Sequence, residues 1–189
     1  MKSLIVIIVS FFILTGCFKQ NQVEFIDNVS HVQEIVPSGE RGEGALVPDF
    51  IWYDENGKKV SFKEYTEGKV VLVNYWATWC FACRMTLPEL REINRIYSEK
   101  GVAVIGIVTL DRTDPAYKLD FISKFISDWN LGYPMIIDDE NNSMWEAFGM
   151  DVGGVPTNLL INKEGRVVSA RTGSSNFEAF SEELEKLLL

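Results

Sequence analysis

Cys80 and Cys83, in the run Trp79-Cys80-Phe81-Ala82-Cys83, carry the strongest chemical signal in this chain of 189 residues. A continuous apolar segment ends at Trp76 just ahead of them, and an amphipathic pattern begins with them. The pair therefore sits where a buried strand turns into a helix. Cysteines at i and i+3 on a first helical turn share one face and lie close enough to be bridged. The first faces unpaired backbone N–H groups and the positive end of the helix dipole, which stabilise a thiolate and lower its pKa. The second is placed to attack a mixed disulfide and release what the first has captured. The chemistry that suits this arrangement is thiol–disulfide exchange. Arg84 adds a positive charge nearby, and the sequence leaves its direction open.

Two blander readings of the CxxC are weaker. A structural zinc site needs about four ligands, usually from two such pairs, and this chain has one pair plus Cys17. A purely structural 80–83 bridge closes too small a loop to stabilise much. His31 stands without nearby cysteine, histidine or carboxylate partners and reads as solvated. No Gly-rich phosphate loop or Ser/His/Asp set is present, so no cofactor and no metal is expected. The formal net charge of −9 argues against nucleic-acid binding.

The elements that must position the cysteines read as α/β. Phe50 to Tyr53 and Lys59 to Ser61 flank Asn56-Gly57 as a hairpin. Val70 to Trp76, apolar but for Asn74, reads as a strand buried on both faces. A helix from Cys80 to Lys100 follows, with Leu87, Leu90, Ile93 and Tyr97 at helical spacing and a kink expected at Pro88. Val102 to Val108 completes a parallel strand–helix–strand unit. A helix over Pro115 to Asn130, a strand over Tyr133 to Asp138 and a short helix over Asn142 to Phe148 come next. Thr157 to Ile161 and Val167 to Arg171 then form an antiparallel hairpin, and a helix from Phe177 to Leu188 closes the chain. Trp52, Trp129 and Trp145 read as packing residues, whereas Trp79 adjoins the cysteines and supplies surface for a partner.

The N-terminus has a separate purpose. Lys2 precedes an apolar run from Leu4 to Leu14, too short for the roughly 20 residues of a bilayer-spanning helix but suited to a signal sequence. Leu14-Thr15-Gly16-Cys17 follows, with small residues before a cysteine that can accept a lipid. An uncleaved signal anchor or a stray cysteine are the alternatives. The expected organisation is a lipoprotein signal peptide over 1–16, a lipid-anchored tether over 17–45 and the folded domain over 46–189. Either way the domain is expected outside the cytoplasm.

Three segments carry a family resemblance: Val47-Pro48-Asp49-Phe50, Gly68 through the Trp76-Ala77-Thr78-Trp79-Cys80 run, and Gly154-Val155-Pro156-Thr157. Together they resemble the membrane-anchored thioredoxin-like thiol–disulfide oxidoreductases, the TlpA/ResA-like group. The resemblance implies a thioredoxin fold: a mixed central sheet flanked by helices, an N-terminal hairpin, and a helix–strand insertion over Pro115 to Asp138. It further implies a cis peptide at Val155–Pro156, facing the cysteines and docking substrate. Two positions depart from familiar patterns. Asn74 stands where thioredoxin has a buried aspartate, and Thr86 where many anchored relatives have a glutamate. Ala82 replaces a frequent proline and so keeps an N–H that could reach Cys80.

On this reading the protein is an extracytoplasmic protein-disulfide reductase acting on clients with cysteine pairs and re-reduced by a membrane electron-donor protein. The resemblance suggests cytochrome c maturation or a related reductive repair task. A disulfide-forming oxidant and an anchored chaperone with a non-catalytic CxxC stay open as alternatives. A peroxidase is disfavoured, because peroxiredoxins place a lone attacking cysteine in another setting.

Overall fold

The computed structural model describes residues 29–54, 56–109, 119–149 and 154–189, with 119 and 120 by backbone alone. The signal segment, Cys17 and the start of the expected tether lie outside them. Four short strands come first: β1 (Val29–His31), β2 (Glu34–Val36), β3 (Asp49–Tyr53) and β4 (Lys59–Ser61). Then follow α1 (Phe62–Thr66), β5 (Val70–Trp76), α2 (Phe81–Tyr97), β6 (Val102–Val108), α3 (Leu119–Asp128), β7 (Met135–Ile137) and α4 (Ser143–Ala147). The chain ends with β8 (Thr157–Ile161), β9 (Val167–Thr172) and α5 (Phe177–Leu188).

A six-stranded sheet runs in the order β1-β7-β6-β5-β8-β9, and a three-stranded sheet in the order β2-β3-β4. In the large sheet β1, β7, β6 and β5 are parallel, β8 runs antiparallel to β5, and β9 runs antiparallel to β8. The sheet is mixed, as the sequence pattern anticipates, and has the strand arrangement of the thioredoxin fold that the family resemblance implies. Every residue of β5 is buried, and its side chains divide between two cores by the strand's period of two. Val70, Leu72 and Trp76 pack with α2, α3 and α5, together with both cysteines. Val71, Val73 and Tyr75 pack on the other face against β3, α1 and α4. Each fully buried Val or Leu here contributes about 1.5–3 kcal/mol, so β5 is the spine on which the active-site turn is mounted.

Residues 29–45 differ from a tether. β1 adds to the edge of the main sheet beside β7, with Val29 and Ser30 buried, and β2 pairs with β3. Both strands are three residues long, too short to display an alternation, and their register comes from partners far along the chain. The folded unit therefore includes residues well ahead of 46. His31 is exposed, as expected for a solvated histidine. The helix α1 is a further element absent from the sequence reading. Ser61 caps it by accepting the Glu64 N–H, and Asp49 accepts both the Ser61 hydroxyl and the Lys63 N–H. That network explains the Val47-Pro48-Asp49-Phe50 segment: its aspartate ties β3 to the start of α1.

Pro88 lies within α2, which nonetheless runs unbroken from Phe81 to Tyr97 and ends in a single 3-10 turn over Ser98–Lys100. Gly101, at φ 89°, then turns the chain into β6 in a conformation that side-chain-bearing residues avoid. The insertion is present as α3 and β7, while residues 115–118 of its expected helix fall outside the described set.

Candidate active site

β5 ends at Trp76, whose carbonyl accepts the Thr109 N–H and so stays tied to the end of β6. The chain turns through Ala77-Thr78-Trp79, closed by a bond from the Cys80 N–H to the Ala77 carbonyl. Arg84 reaches back from the first turns of α2 and donates from Nε and Nη2 to the Thr78 carbonyl, at 3.0 and 2.7 Å. Its guanidinium also lies over the Phe125 ring. The positive charge of Arg84 is thus directed at the turn and α3, where it staples the loop that presents the cysteines.

Cys80 is the N-cap of α2, in extended conformation, and Cys83 lies inside the first turn. The two are joined as a disulfide with their Cα atoms 5.2 Å apart. The Cys80 Sγ also accepts the Cys83 backbone N–H at 3.1 Å. A capping side chain ordinarily takes the N–H two or three residues on. Here the bond comes from the Cys83 N–H rather than from that of Ala82, which the sequence also offers. The sulfur of Cys80 therefore sits on the positive end of a seventeen-residue helix. The two sulfurs differ in access. Cys80 is 5% exposed and Cys83 is wholly buried.

The loop before β8 meets the cysteines from the other side. Val155–Pro156 is a cis peptide bond, and the Val155 carbonyl oxygen lies 3.7 Å from the Cys80 Sγ. Three contacts hold this loop. The Thr157 hydroxyl donates to the Gly154 carbonyl at 2.6 Å and also meets the Thr172 hydroxyl. The Gly173 N–H donates to the Pro156 carbonyl at 2.8 Å. Gly154 has φ 137°, a conformation open to glycine and strained for other residues. The Gly154-Val155-Pro156-Thr157 segment is thus a turn braced to set one carbonyl beside one sulfur.

Around Cys80 the surface is apolar and open: Trp79 is 57% exposed, Phe81 76% and Met85 57%. Beneath it the site is neutral. Thr86 is fully buried and donates to the Ala82 carbonyl along its own helix. Glu89 points away, its carboxylate accepting the Phe177 N–H that opens α5. Asn74 is fully buried on β5 and donates from Nδ2 to the Asn158 Oδ1 at 2.7 Å. Asn158, on β8, was not picked out by sequence. It stands beside Thr157 at the head of an apolar run, without the apolar neighbours on both sides that mark Asn74. The described residues contain no cluster able to hold a metal ion.

Trp52 is core, Trp129 stacks on Phe125, and Trp145 meets Tyr75 edge-on, which agrees with packing roles.

A family model described as the AhpC/TSA family matches residues 44–170. The chain belongs to that family. ResA of Bacillus anthracis, a thiol-disulfide oxidoreductase, is 35% identical over 144 residues, covering 76% of this chain and 78% of its own. ResA of Geobacillus thermodenitrificans is 33% identical over 76% of this chain and 77% of its own. Among solved structures, a putative thiol:disulfide interchange protein DsbE from Chlorobium tepidum superimposes with a TM-score of 0.66 at 26% identity. It spans 79% of this chain and all of its own. The exposed lipoprotein thioredoxin of Streptococcus pneumoniae gives 0.61 at 25% identity, over 74% and 99% of the two chains. These relatives and the fold they share make the chain a thiol–disulfide oxidoreductase.

Proposed function

We propose that the protein reduces disulfides in client proteins outside the cytoplasm, with Cys80 as the attacking thiol and Cys83 as the resolving one. The observation that carries this reading is the asymmetry of the pair. Cys80 Sγ accepts an N–H at the helix start and the residue keeps 5% of its surface exposed, whereas Cys83 is wholly buried. In the first step the Cys80 thiolate bonds to one sulfur of a client disulfide. That S–S bond breaks, and the other client sulfur leaves as a thiolate that takes a proton from water. In the second step Cys83 gives up its proton and its sulfur bonds to Cys80. The mixed disulfide breaks, the client sulfur leaves as a thiolate that takes up the proton Cys83 gave up, and the client departs with both sulfurs reduced. Two electrons have passed to the client, and Cys80–Cys83 is oxidised. A dithiol on a membrane electron-donor protein reverses the change in the enzyme by the same exchange.

Trp79, Val155 and Pro156 serve as docking residues in this scheme. The Val155 carbonyl lies beside the reacting sulfur and the Trp79 ring is exposed next to it. Cys17 anchors the chain through a lipid, supported by the Leu14-Thr15-Gly16-Cys17 segment and by the exposed lipoprotein among the structural relatives. Mass spectrometry of the mature protein finding an unmodified Cys17 would remove the anchor. Apocytochrome c is the client class that the family resemblance favours. The deciding experiment is the reduction potential of the Cys80–Cys83 couple. A value near about −300 mV supports the reductase, and one near about −120 mV assigns a disulfide-forming oxidant instead. A pair that fails to equilibrate with any thiol buffer would leave the CxxC as a structural feature of an anchored binding module.

A further inference from the structure

A resolving cysteine must keep its proton until the mixed disulfide forms, and neither of the acids usual near this site is present to manage it. The structure offers a neutral group instead. Asn74 sits on β5 between Leu72 and Trp76, both of which pack in the core that holds Cys83. By the period of two, the Asn74 side chain enters that same face, under α2. Its Nδ2 is committed to the Asn158 Oδ1 at 2.7 Å, and the Asn158 Nδ2 donates to the Gly173 carbonyl at 3.3 Å. A backbone carbonyl accepts and cannot donate, so Gly173 fixes which way round the Asn158 amide lies. Asn158 in turn fixes Asn74. The chain of amides leaves one free atom, the Asn74 Oδ1, which is buried without a hydrogen-bond partner. A buried unpaired carbonyl costs about 1–3 kcal/mol, so its orientation is imposed by the chain behind it. On the other side of Asn74 in the sheet lies Gly106, where the Met135 side chain fills the space a Cβ would take. The Trp76 indole N–H, also unpartnered, lies against that same spot.

We infer that Asn74 is a positioning residue for the resolving thiol: in the reduced protein its carbonyl accepts the Cys83 S–H, held in that orientation by Asn158 and Gly173. This rests on the resolving role proposed for Cys83. A hydrogen bond to the neutral form disfavours ionisation, so the contact keeps Cys83 protonated while the helix N-terminus favours the Cys80 thiolate. No proton is transferred to the amide; Asn74 sets when the thiol can lose it.

Among the described residues, the ionisable groups around Cys83 are otherwise engaged. On α2, Arg84 bonds Thr78, Glu89 bonds Phe177 and Arg91 bonds the Trp129 carbonyl. On α3, Lys124 pairs with Asp128. On α5, Glu183 pairs with Arg171 of β9 at the cleft of about 200 Å³ that Asn158 and Gly173 also line. Tyr75 of β5 faces the opposite core, and the buried hydroxyl of Tyr133 is held protonated far above the neutral range.

The test is the Cys83 titration in the reduced full-length chain, followed by the NMR shift of its labelled Cβ. The wild type should titrate above the free-cysteine value of about 8.5. Asn74→Leu removes the carbonyl and Asn158→Leu frees it to rotate, and each should lower the Cys83 midpoint by about one pH unit. Asn74→Asp should raise it. Unchanged midpoints in folded Asn74→Leu and Asn158→Leu proteins would overturn the inference. Exchange of the wild type with a small disulfide, run in parallel, separates the two failures. Exchange with unshifted Cys83 sinks the amide chain alone, whereas no exchange sinks the redox reading itself.

Discussion

The two sulfurs of the active site are three residues apart and inhabit opposite surroundings. On the Cys80 side are a helix N-terminus, the Val155 carbonyl, and the exposed rings and thioether of Trp79, Phe81 and Met85. On the Cys83 side are Thr86 and the Asn74–Asn158 pair, all nearly or fully buried and all uncharged. On the roles proposed above, one residue type takes two parts from its setting: the first sulfur, at the helix start and 5% exposed, attacks, and the second, wholly buried among uncharged groups, resolves. The division depends on charge being absent beneath the helix as much as on dipoles present at its start.

Putting a charge where none exists should disturb that division most. Thr86→Glu introduces a carboxylate into the buried side, where it repels a forming thiolate and couples to both sulfurs. The wild type should show a single Cys80 titration below about 8.5. The variant should show two coupled steps and roughly tenfold slower Cys80 alkylation at pH 7. An unshifted single step in the variant would mean that the buried side does not govern the thiols electrostatically.

The open side is sharpened by a smaller change. Trp79→Ser with Phe81→Ser removes exposed apolar area next to Cys80 without touching either sulfur. Exchange with a protein disulfide should slow about tenfold, the scale of losing an apolar anchor or two, while a small disulfide should react as before. Equal slowing of both substrates would assign the aromatic rim to the thiol rather than to the client.

The opposite core provides the control. Asp138 is buried at the end of β7 and accepts N–H groups from Asp139, Met144 and Trp145. Burial nevertheless pushes its pKa up to about 6 from an ordinary 3.8, outweighing those donors. A folded-state pKa above the unfolded one means the folded protein binds the proton more tightly. This group's contribution therefore falls as pH rises from about 4 through 6, by roughly 3 kcal/mol at most. Asp138→Asn should flatten that part of the stability profile in urea melts and leave exchange within about twofold. A large loss of exchange would show that the two faces of β5 are coupled.

Much of this was legible in the chain because the informative elements are long and strongly patterned. The seven-residue run closing at Trp76, apolar but for Asn74, the helical spacing from Leu87 to Tyr97 and the Asn56-Gly57 turn each announce themselves locally, and together they place Cys80 at a helix start. β1 and β2 did not, since three residues carry no period and their partners lie across the fold. α1 carried a usable sign, Ser61 followed three residues later by Glu64, which is a capping signature. Asn158 had none that could link it to Asn74, 84 residues away. Pairings of that kind are set by sheet register, which is decided by the whole hydrophobic pattern.

The central claim is that Cys80 attacks and Cys83 resolves, and trapping tests it most directly. The full chain carrying Cys83→Ala, expressed where its clients are made and quenched with acid, should accumulate mixed disulfides that vanish on reduction. Cys80→Ala treated identically should trap none. Mixed disulfides formed through Cys83 in the Cys80→Ala protein, with none in its counterpart, would contradict the account.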